Sequence, residues 1–195
     1  MPRAKKRVSH RTHRHSHVSS RRNSRTNSQV SEERHLKWKP FWVIVRIITG
    51  FLFLWPFLDK TFGFGITTTV ENAWIHGGSP TAGFLLHGTT GPFASIFQSI
   101  ASSPVVEWLF MVGLLFVGLS MILGVAMKPA AIAGTVMVFL MYLSELPPAN
   151  NPFVDEHWFY AFALIASALT NSGDYFGFGK CWKSFSFVKK CKFLE

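Results

Sequence analysis

The chain has 195 residues, enough for one domain rather than several, and 48% of them are hydrophobic although the formal net charge is +10. Charge and hydrophobicity occupy different parts of the chain, since twelve of the twenty Lys and Arg residues precede Pro40 and five more follow Asn171. The middle of the chain is nearly free of cations, which excludes an evenly charged domain and indicates an apolar membrane domain between two basic ends.

Residues 1–39 carry Arg, Lys, Ser and His in place of apolar residues, and such a segment cannot bury enough surface to fold. We predict a disordered, basic cytoplasmic tail held near anionic lipid head groups. A metal site formed by the histidine cluster is the alternative: His10, His13, His15 and His17. The segment is not a secretory signal, because it contains no short apolar stretch with a small-residue cleavage site. Nucleic-acid binding by such a tail would be unspecific, so we do not predict it.

The run FWVIVRIITGFLFLWPFL predicts a first membrane-spanning helix at 41–58, because about eighteen apolar residues are enough to cross a bilayer. At 100° per residue, Arg46, Gly50 and Lys60 fall on one face of this helix. A membrane helix turns such a face toward other helices, since a charge against lipid costs at least a few kcal/mol. The pattern therefore predicts a helix within a bundle and not a lone anchor.

The loop predicted at 61–104 contains seven glycines, and a loop of this length in a compact protein is usually functional. Within it the segment GPFASIFQSIASS repeats apolar residues at helical spacing, which predicts a short helix on the membrane surface. A lid over a ligand site is a compatible alternative.

Two further apolar runs predict spans at 105–125 and 129–146, joined by a tight turn. Small residues four apart would let these helices approach their neighbours closely, and such faces are also compatible with a homo-oligomer. They are Ser120 with Gly124, and Ala130 with Gly134.

A fourth span is predicted at 156–171, although only the twelve residues from Trp158 to Leu169 are continuously apolar. If this segment crosses, both termini and Lys128 lie on one side, which then holds eighteen of the twenty Lys and Arg residues. The positive-inside rule makes that side cytoplasmic. We therefore predict an all-α, four-helix integral membrane bundle over residues 40–177, in the cytoplasmic membrane, with both termini inside and the loop 61–104 outside.

Residues 178–195 mix aromatic side chains with five lysines, a composition that suits the anionic inner face of a membrane. Cys181 and Cys191 fall in this predicted cytoplasmic tail without a zinc-binding pattern around them. We interpret them as free thiols in a reducing compartment, with palmitoylation as the alternative.

The predicted topology gathers ionisable residues at the outer ends of the four helices. Glu107, Glu145 and His157 adjoin or lie inside apolar runs, and they are our candidates for proton transfer. The alternative is that charges at helix ends simply meet water, and we adopt this interpretation for Asp155 and Glu156. A metal or haem site formed by three histidines lacks any local spacing pattern, so no metal is predicted. These are His76, His87 and His157.

Lys60 and Arg46 are the candidates for substrate contacts. Arg46 lies about one and a half turns from the cytoplasmic end of its helix. Its side chain either extends to that surface or pairs across the bundle with an acidic residue such as Asp174.

A family resemblance rests on several of these residues. Arg46, Gly50, the Phe-rich stretch and Lys60 resemble the R-xxx-G-…-K first helix of the DoxX/DoxD-like membrane proteins. Further segments between residues 43 and 178 are similar to the actinobacterial branch of that family: AWIHGGSPTAGFL at 73–85, GPF at 91–93 and LPPANNPFVDEHW at 146–158.

The resemblance implies a four-helix membrane bundle and, more distantly, a likeness to the membrane subunit of thiosulfate:quinone oxidoreductase. In that enzyme, sulfur oxidation outside the membrane delivers electrons to quinone. The chain would then be a quinone-linked redox component that works with a separate redox subunit. It has no Cys in the outer loop and no flavin, haem-attachment or iron–sulfur motif, so neither a cofactor nor an electron path is assigned. The alternative is a non-catalytic protein: an accessory or assembly partner of an oxidoreductase, or a small permeation or stress-response protein.

Overall fold

A computed structural model describes residues 13–149, 151 and 153–194, with side chains from Trp38 onward. Over these residues the chain is helical and contains no strand. The α-helices are α1 (His13–Phe62), α2 (Ala82–His87), α3 (Ala94–Ser99), α4 (Pro104–Leu123), α5 (Met127–Ser144), α6 (Glu156–Leu169), α7 (Gly179–Ser184) and α8 (Ser186–Lys190). The chain divides into two compact units, Met1–Pro40 and Phe41–Glu195.

Three helices in the described part of the chain are long and apolar enough to cross a membrane: Trp38–Phe62 within α1, α4 and α5. They confirm the spans predicted at 41–58, 105–125 and 129–146. Large apolar side chains such as Ile44, Val112 and Ile132 are exposed on their surfaces, as expected where lipid replaces water around a helix. The described part of the chain is therefore all-helical, and its three long apolar helices indicate a membrane protein. The fourth predicted span corresponds to α6, which has 14 residues, and its crossing stays a prediction.

The first helix begins earlier than the sequence predicts. Residues 1–12 of the predicted disordered tail lie outside the described residues, but α1 starts at His13 and continues through Pro40. A polar segment can extend an existing apolar helix because the costly nucleation step has already been made. Disorder of the tail stays a prediction, and the predicted histidine cluster lies where no side chain is described.

Consecutive long helices of the second unit pack antiparallel. Gly50 of α1 lies against Ile122 of α4, and Gly118 of α4 lies against Leu54 of α1, so residue numbers rise on one helix as they fall on the other. Gly134 of α5 likewise faces Leu164 of α6. Of the small residues predicted to allow close approach, Gly134 lies at such a contact, against the side chain of Leu164. The contacts at Gly50 and Gly118, where the helix backbones approach each other, were not predicted.

A buried apolar cluster fills the space between these helices. Its members include Phe53 from α1, Met111, Val117 and Met121 from α4, Val138 from α5 and Leu164 from α6. The antiparallel packing defines two ends. We call the end where α1 and α5 finish and α4 and α6 begin the loop end, and the opposite one the tail end.

The segment between α1 and α4 folds over the loop end through short helices and 3₁₀ turns. The backbone N–H of Thr90 donates to the carbonyl of Ser144 at 2.8 Å, and Gly91 sits directly against the carbonyl of Leu146, where any side chain would clash. The short helix expected in this segment is α3, and its Ile96 is exposed. The loop is therefore attached to the end of α5.

Candidate functional site

The junction of α5 and α6 gathers four ionisable residues at the loop end. Glu145 follows the last residue of α5, while Asp155, Glu156 and His157 form the start of α6. The rings of Tyr142 in α5 and Trp158 in α6 meet at a centroid distance of 5.6 Å, so the two helix ends lie close together. We call these four residues the acidic–histidine cluster.

Asp155 holds the first turn of α6 and the imidazole of His157 at the same time. One carboxylate oxygen accepts from the backbone N–H of His157 at 3.0 Å, which makes Asp155 the N-cap of the helix. The other oxygen lies 2.9 Å from Nδ1 of His157. When Nδ1 carries the proton of this hydrogen bond, Nε2 is the nitrogen that can accept or release a proton.

His157 is buried, with 7% of its surface exposed. Its ring meets Tyr160 edge to face at a centroid distance of 6.4 Å, and the side chain of Asp155 is nearly as enclosed. A buried imidazole held by a carboxylate has a fixed orientation, which is what a proton-transferring group requires. The burial of His157 therefore favours its interpretation as a proton-transfer candidate over the alternative that its charge simply meets water.

The carboxyl group of Glu145 is unusual within the cluster. Partial burial raises its pKa above the value of a free glutamate, and the negative charges of Glu156 and Asp155 raise it further. His157 acts in the opposite direction, and desolvation is the largest of these effects. Glu145 is therefore more readily protonated near neutral pH than an exposed glutamate.

Aromatic side chains connect the end of α5 to the start of α6. The hydroxyl of Tyr142 donates to the carbonyl of Phe153 at 2.9 Å, and its ring meets that of Trp158 edge to face at 5.6 Å. The side chain of Asn151 accepts from the backbone N–H groups of Phe153 and Val154. These contacts fix the loop that joins α5 to α6.

Glu107 has a different partner. The hydroxyl of Ser79 donates to its carboxylate, and the same hydroxyl accepts from the backbone N–H of Ala82 at the start of α2. Glu107 therefore ties the segment between α1 and α4 to the first turn of α4. Nearby, Trp74 and Trp108 meet edge to face at 4.6 Å.

Lys60 is half-buried in the last turn of α1, and no described contact joins it to the acidic–histidine cluster. Arg46 lies fourteen residues earlier on the same helix, about 21 Å away at 1.5 Å per residue. The two predicted substrate contacts therefore cannot touch one small head group together.

Arg46 lies at the tail end and is fully buried. Its Nη2 donates to the carbonyl of Phe176, and Nη1 lies against Gly124 and Gly177, where a side chain would clash. Nε and Nη1 have no hydrogen-bond partner among the described residues. The prediction that the Arg46 side chain extends to the membrane surface is wrong, because backbone atoms enclose its guanidinium.

The predicted pairing of Arg46 with Asp174 is also wrong. The carboxylate of Asp174 pairs with Nζ of Lys183 at 2.7 Å instead. Lys183 lies in α7, only nine residues after Asp174 in the chain. Asp174 therefore pairs with this neighbouring lysine and not with Arg46.

Two carboxylates with structural roles were not among the predicted site residues: Asp155 and Asp59. Asp155 was assigned to solvent, although an Asp immediately before an apolar helical run is a recognisable N-cap signal. Asp59 is buried and accepts from the backbone N–H and the hydroxyl of Thr67, at 3.0 and 2.5 Å. The glycines that follow it are the signal: Gly63 and Gly65 adopt positive φ and turn the chain back to the helix end.

Groups of His, Cys, Asp and Glu placed to hold a metal ion are not found among the residues that the structure describes. His76 and His87 are exposed in the segment between α1 and α4, while His157 is hydrogen-bonded to Asp155. The three histidines therefore do not share a described site.

Comparison of the chain with protein-family models, curated proteins and solved structures finds no match.

Proposed function

We propose that this chain is a DoxX-like membrane protein that binds the head group of a membrane quinone at the loop end, where the acidic–histidine cluster exchanges protons with it. The observation that carries the proposal is the buried Asp155–His157 pair beside Glu145. Titratable groups that are buried and held by a specific partner are candidates for a functional site.

Quinone chemistry fits the groups available there. Reduction of a quinone to a quinol takes up two electrons and two protons, and each carbonyl oxygen accepts one of those protons. His157 can deliver a proton from Nε2, and Glu145 is a second proton carrier because burial raises its pKa. The electrons come from a separate redox subunit, consistent with the implied likeness to a thiosulfate:quinone oxidoreductase.

We infer in addition that α6 crosses the membrane, which gives a four-helix bundle with both termini in the cytoplasm. The charge distribution supports this topology, since it leaves eighteen of twenty Lys and Arg residues on one side. The loop end then faces outward. A quinone head group at that end would lie near the outer surface, where a soluble reductant could act.

A second candidate is a non-catalytic accessory protein. It is favoured by the engagement of Glu107 with Ser79 and of Asp59 with Thr67, because both carboxylates hold the outer loop in place. A loop fixed in this way is a suitable docking surface for a partner oxidoreductase.

The test is binding of a short-tailed quinone to the detergent-purified full chain. We expect saturable binding by the wild type and about fivefold or greater loss in His157→Gln, since a hydrogen bond to a charged or polar partner contributes about 1–3 kcal/mol. Glu145→Gln should retain binding and lose the pH dependence of quinol formation. Lys60→Ala tests the predicted substrate contact.

The matched control is Asp174→Asn, which removes one carboxylate charge at the tail end. Equal weakening by this variant would mean that lost stability and not lost contact explains the His157→Gln result. Failure of the folded wild type to bind any quinone would sink the redox proposal in favour of the accessory protein, to be pursued through co-purifying partners.

A further inference from the structure

The segment after α6 is folded against the tail end. The backbone N–H of Phe178 donates to the carbonyl of Leu123 at 2.8 Å, and the indole N–H of Trp182 donates to the carbonyl of Leu194 at 2.6 Å. Val188 in α8 is completely buried, and Nζ of Lys128 donates to the carbonyl of Lys192 at 3.2 Å. The segment is thus a fixed structural element at the ends of α4 and α5.

This fixed element exposes large aromatic rings. Trp182, Phe185 and Phe187 form a mutual cluster with centroid distances of 5.4 to 6.2 Å, yet Phe185 and Phe187 remain half-exposed. Phe176 and Phe178 are more exposed still, at 75% and 63%. Exposed aromatic rings gathered on a folded element mark a contact surface.

Lysines interleave with these rings. Lys180, Lys189, Lys190 and Lys192 are exposed, whereas Lys183 is paired with Asp174. The sequence contains no Asp or Glu between residues 175 and 194. We call these four lysines together with the five aromatic residues Phe176, Phe178, Trp182, Phe185 and Phe187 the basic–aromatic surface.

We propose that the basic–aromatic surface binds anionic phospholipids of the bilayer that surrounds the helices, with the phenylalanines in the head-group region and the lysines on lipid phosphates. Its attachment to the ends of two spanning helices sets it at the height of the head groups. Its charge decides the lipid class, since cations interleaved with aromatic rings favour an anionic interface.

The chain supplies its own probes, because its two cysteines, Cys181 and Cys191, are both exposed within this segment. The full chain, labelled at one cysteine with the other changed to serine, is incorporated into lipid nanodiscs of phosphatidylcholine alone or mixed with phosphatidylglycerol. Protection of the fluorophore from acrylamide is then measured. We expect protection to increase with the fraction of phosphatidylglycerol for both labelling positions.

The charge dependence is tested with the triple variant Lys180→Gln, Lys189→Gln and Lys190→Gln. Each cation near an anionic surface strengthens association about fivefold, so the variant should lose the response to phosphatidylglycerol across the range of compositions. Raising the salt from about 0.1 M to about 1 M, which shortens the Debye length from about 10 Å to about 3 Å, should weaken protection in the wild type.

The matched control removes three cations from the other end of the chain: Lys5→Gln, Lys6→Gln and Arg7→Gln. An equal loss of protection in this control would overturn the proposal, since net charge and not this surface would then govern the probe. Equal protection in both lipid compositions would overturn it as well. Stronger protection by a soluble oligonucleotide than by phosphatidylglycerol would assign the surface to nucleic acid instead.

Discussion

At the scale of single residues, Arg46 is a buried cation that pairs with no carboxylate in the described part of the chain. Its surroundings explain how this is tolerated. The guanidinium lies where α4 ends at Gly124, and the carbonyl of Phe176 accepts one of its hydrogen bonds. Unsatisfied carbonyls at a helix C-terminus carry partial negative charge, which stabilises a nearby cation.

This environment predicts no energetic coupling between Arg46 and Asp174. A double-mutant cycle with Arg46→Met and Asp174→Asn should give an interaction energy near zero. A cycle with Lys183→Met and Asp174→Asn should give up to about 1 kcal/mol, the usual size for a partly exposed ion pair. The free energy of unfolding is measured by denaturant titration in mixed micelles.

The first cycle has a clear contrary outcome. Coupling of several kcal/mol between Arg46 and Asp174 would show that they form an ion pair in the membrane after all, and that the contact of Asp174 with Lys183 is secondary.

Glu145 predicts a pH dependence of stability with a definite sign. Because burial raises its pKa in the folded state, the folded protein binds more protons than the unfolded chain at pH values above about 4.3, the pKa of a free glutamate. Its contribution to stability is then lost as the pH rises through the folded pKa. Glu145→Gln should remove this decline and be more stable than the wild type at pH 8, as measured by thermal unfolding.

Glu156→Gln is the comparison variant, since Glu156 is exposed and belongs to the same cluster. Removing its negative charge should shift the decline to lower pH without abolishing it, because it is only a secondary cause of the raised pKa of Glu145. An unchanged pH profile in Glu145→Gln would rule out Glu145 as the titrating group.

At the scale of helices, the contact between α1 and α4 depends on glycine. A Cβ atom at Gly118 would lie 2.8 Å from the backbone nitrogen of Leu54, and one at Gly50 would lie 2.9 Å from the backbone nitrogen of Ile122. Neither clash can be relieved by a side-chain rotation, because the atoms approached belong to the backbone. The backbones of α1 and α4 are therefore so close at these two positions that only glycine fits.

Gly118→Ala is accordingly expected to destabilise the fold by about 1–3 kcal/mol, the usual cost of overpacking. Gly113→Ala on the same helix should be neutral or stabilising, since its Cβ would meet only the flexible end of Met137 and alanine favours the helix. Midpoints of thermal unfolding in detergent distinguish the two. A larger effect for Gly113→Ala would contradict the described crossing.

The membrane-spanning helices were predictable from the sequence because each is defined by one continuous apolar run. The spans α4 and α5 were predicted within a few residues of their ends, because the length of an apolar run fixes them locally. Contacts across the chain were not predictable: Arg46 meets a carbonyl 130 residues away, and no local pattern encodes that carbonyl. The hydrogen bond between Asp155 and His157 was partly predictable. The capping position of Asp155 follows from the sequence, but the burial of the His157 ring depends on packing.

At the scale of the whole molecule, the number of crossings decides on which side the carboxyl-terminal segment lies. With four crossings, Cys181 and the amino-terminal residues 1–39 lie on the same side of the membrane, which the positive-inside rule predicts to be cytoplasmic. We expect a membrane-impermeant maleimide to leave Cys181 unlabelled in intact cells and to label it after permeabilisation. In a variant without native cysteines, Ser95→Cys in the outer loop should be labelled in intact cells.

Ser9→Cys provides the parity check. With four crossings this position should behave as Cys181 does, whereas with three crossings the two positions would show opposite labelling. Labelling of Cys181 together with protection of Ser9→Cys in intact cells would therefore exclude α6 as a membrane span and would leave the acidic–histidine cluster at a different depth.

The brevity of α6 has a further consequence for the surrounding lipid. Its 14 residues extend only about 21 Å, whereas the hydrocarbon region of a bilayer measures about 30 Å. If α6 crosses, local thinning of the bilayer can match its length, and that thinning draws head groups and water inward along one side of the protein. Such a protein would partition into thin regions of membrane, and its surface beside α6 would give polar solutes the shortest path toward the bilayer centre.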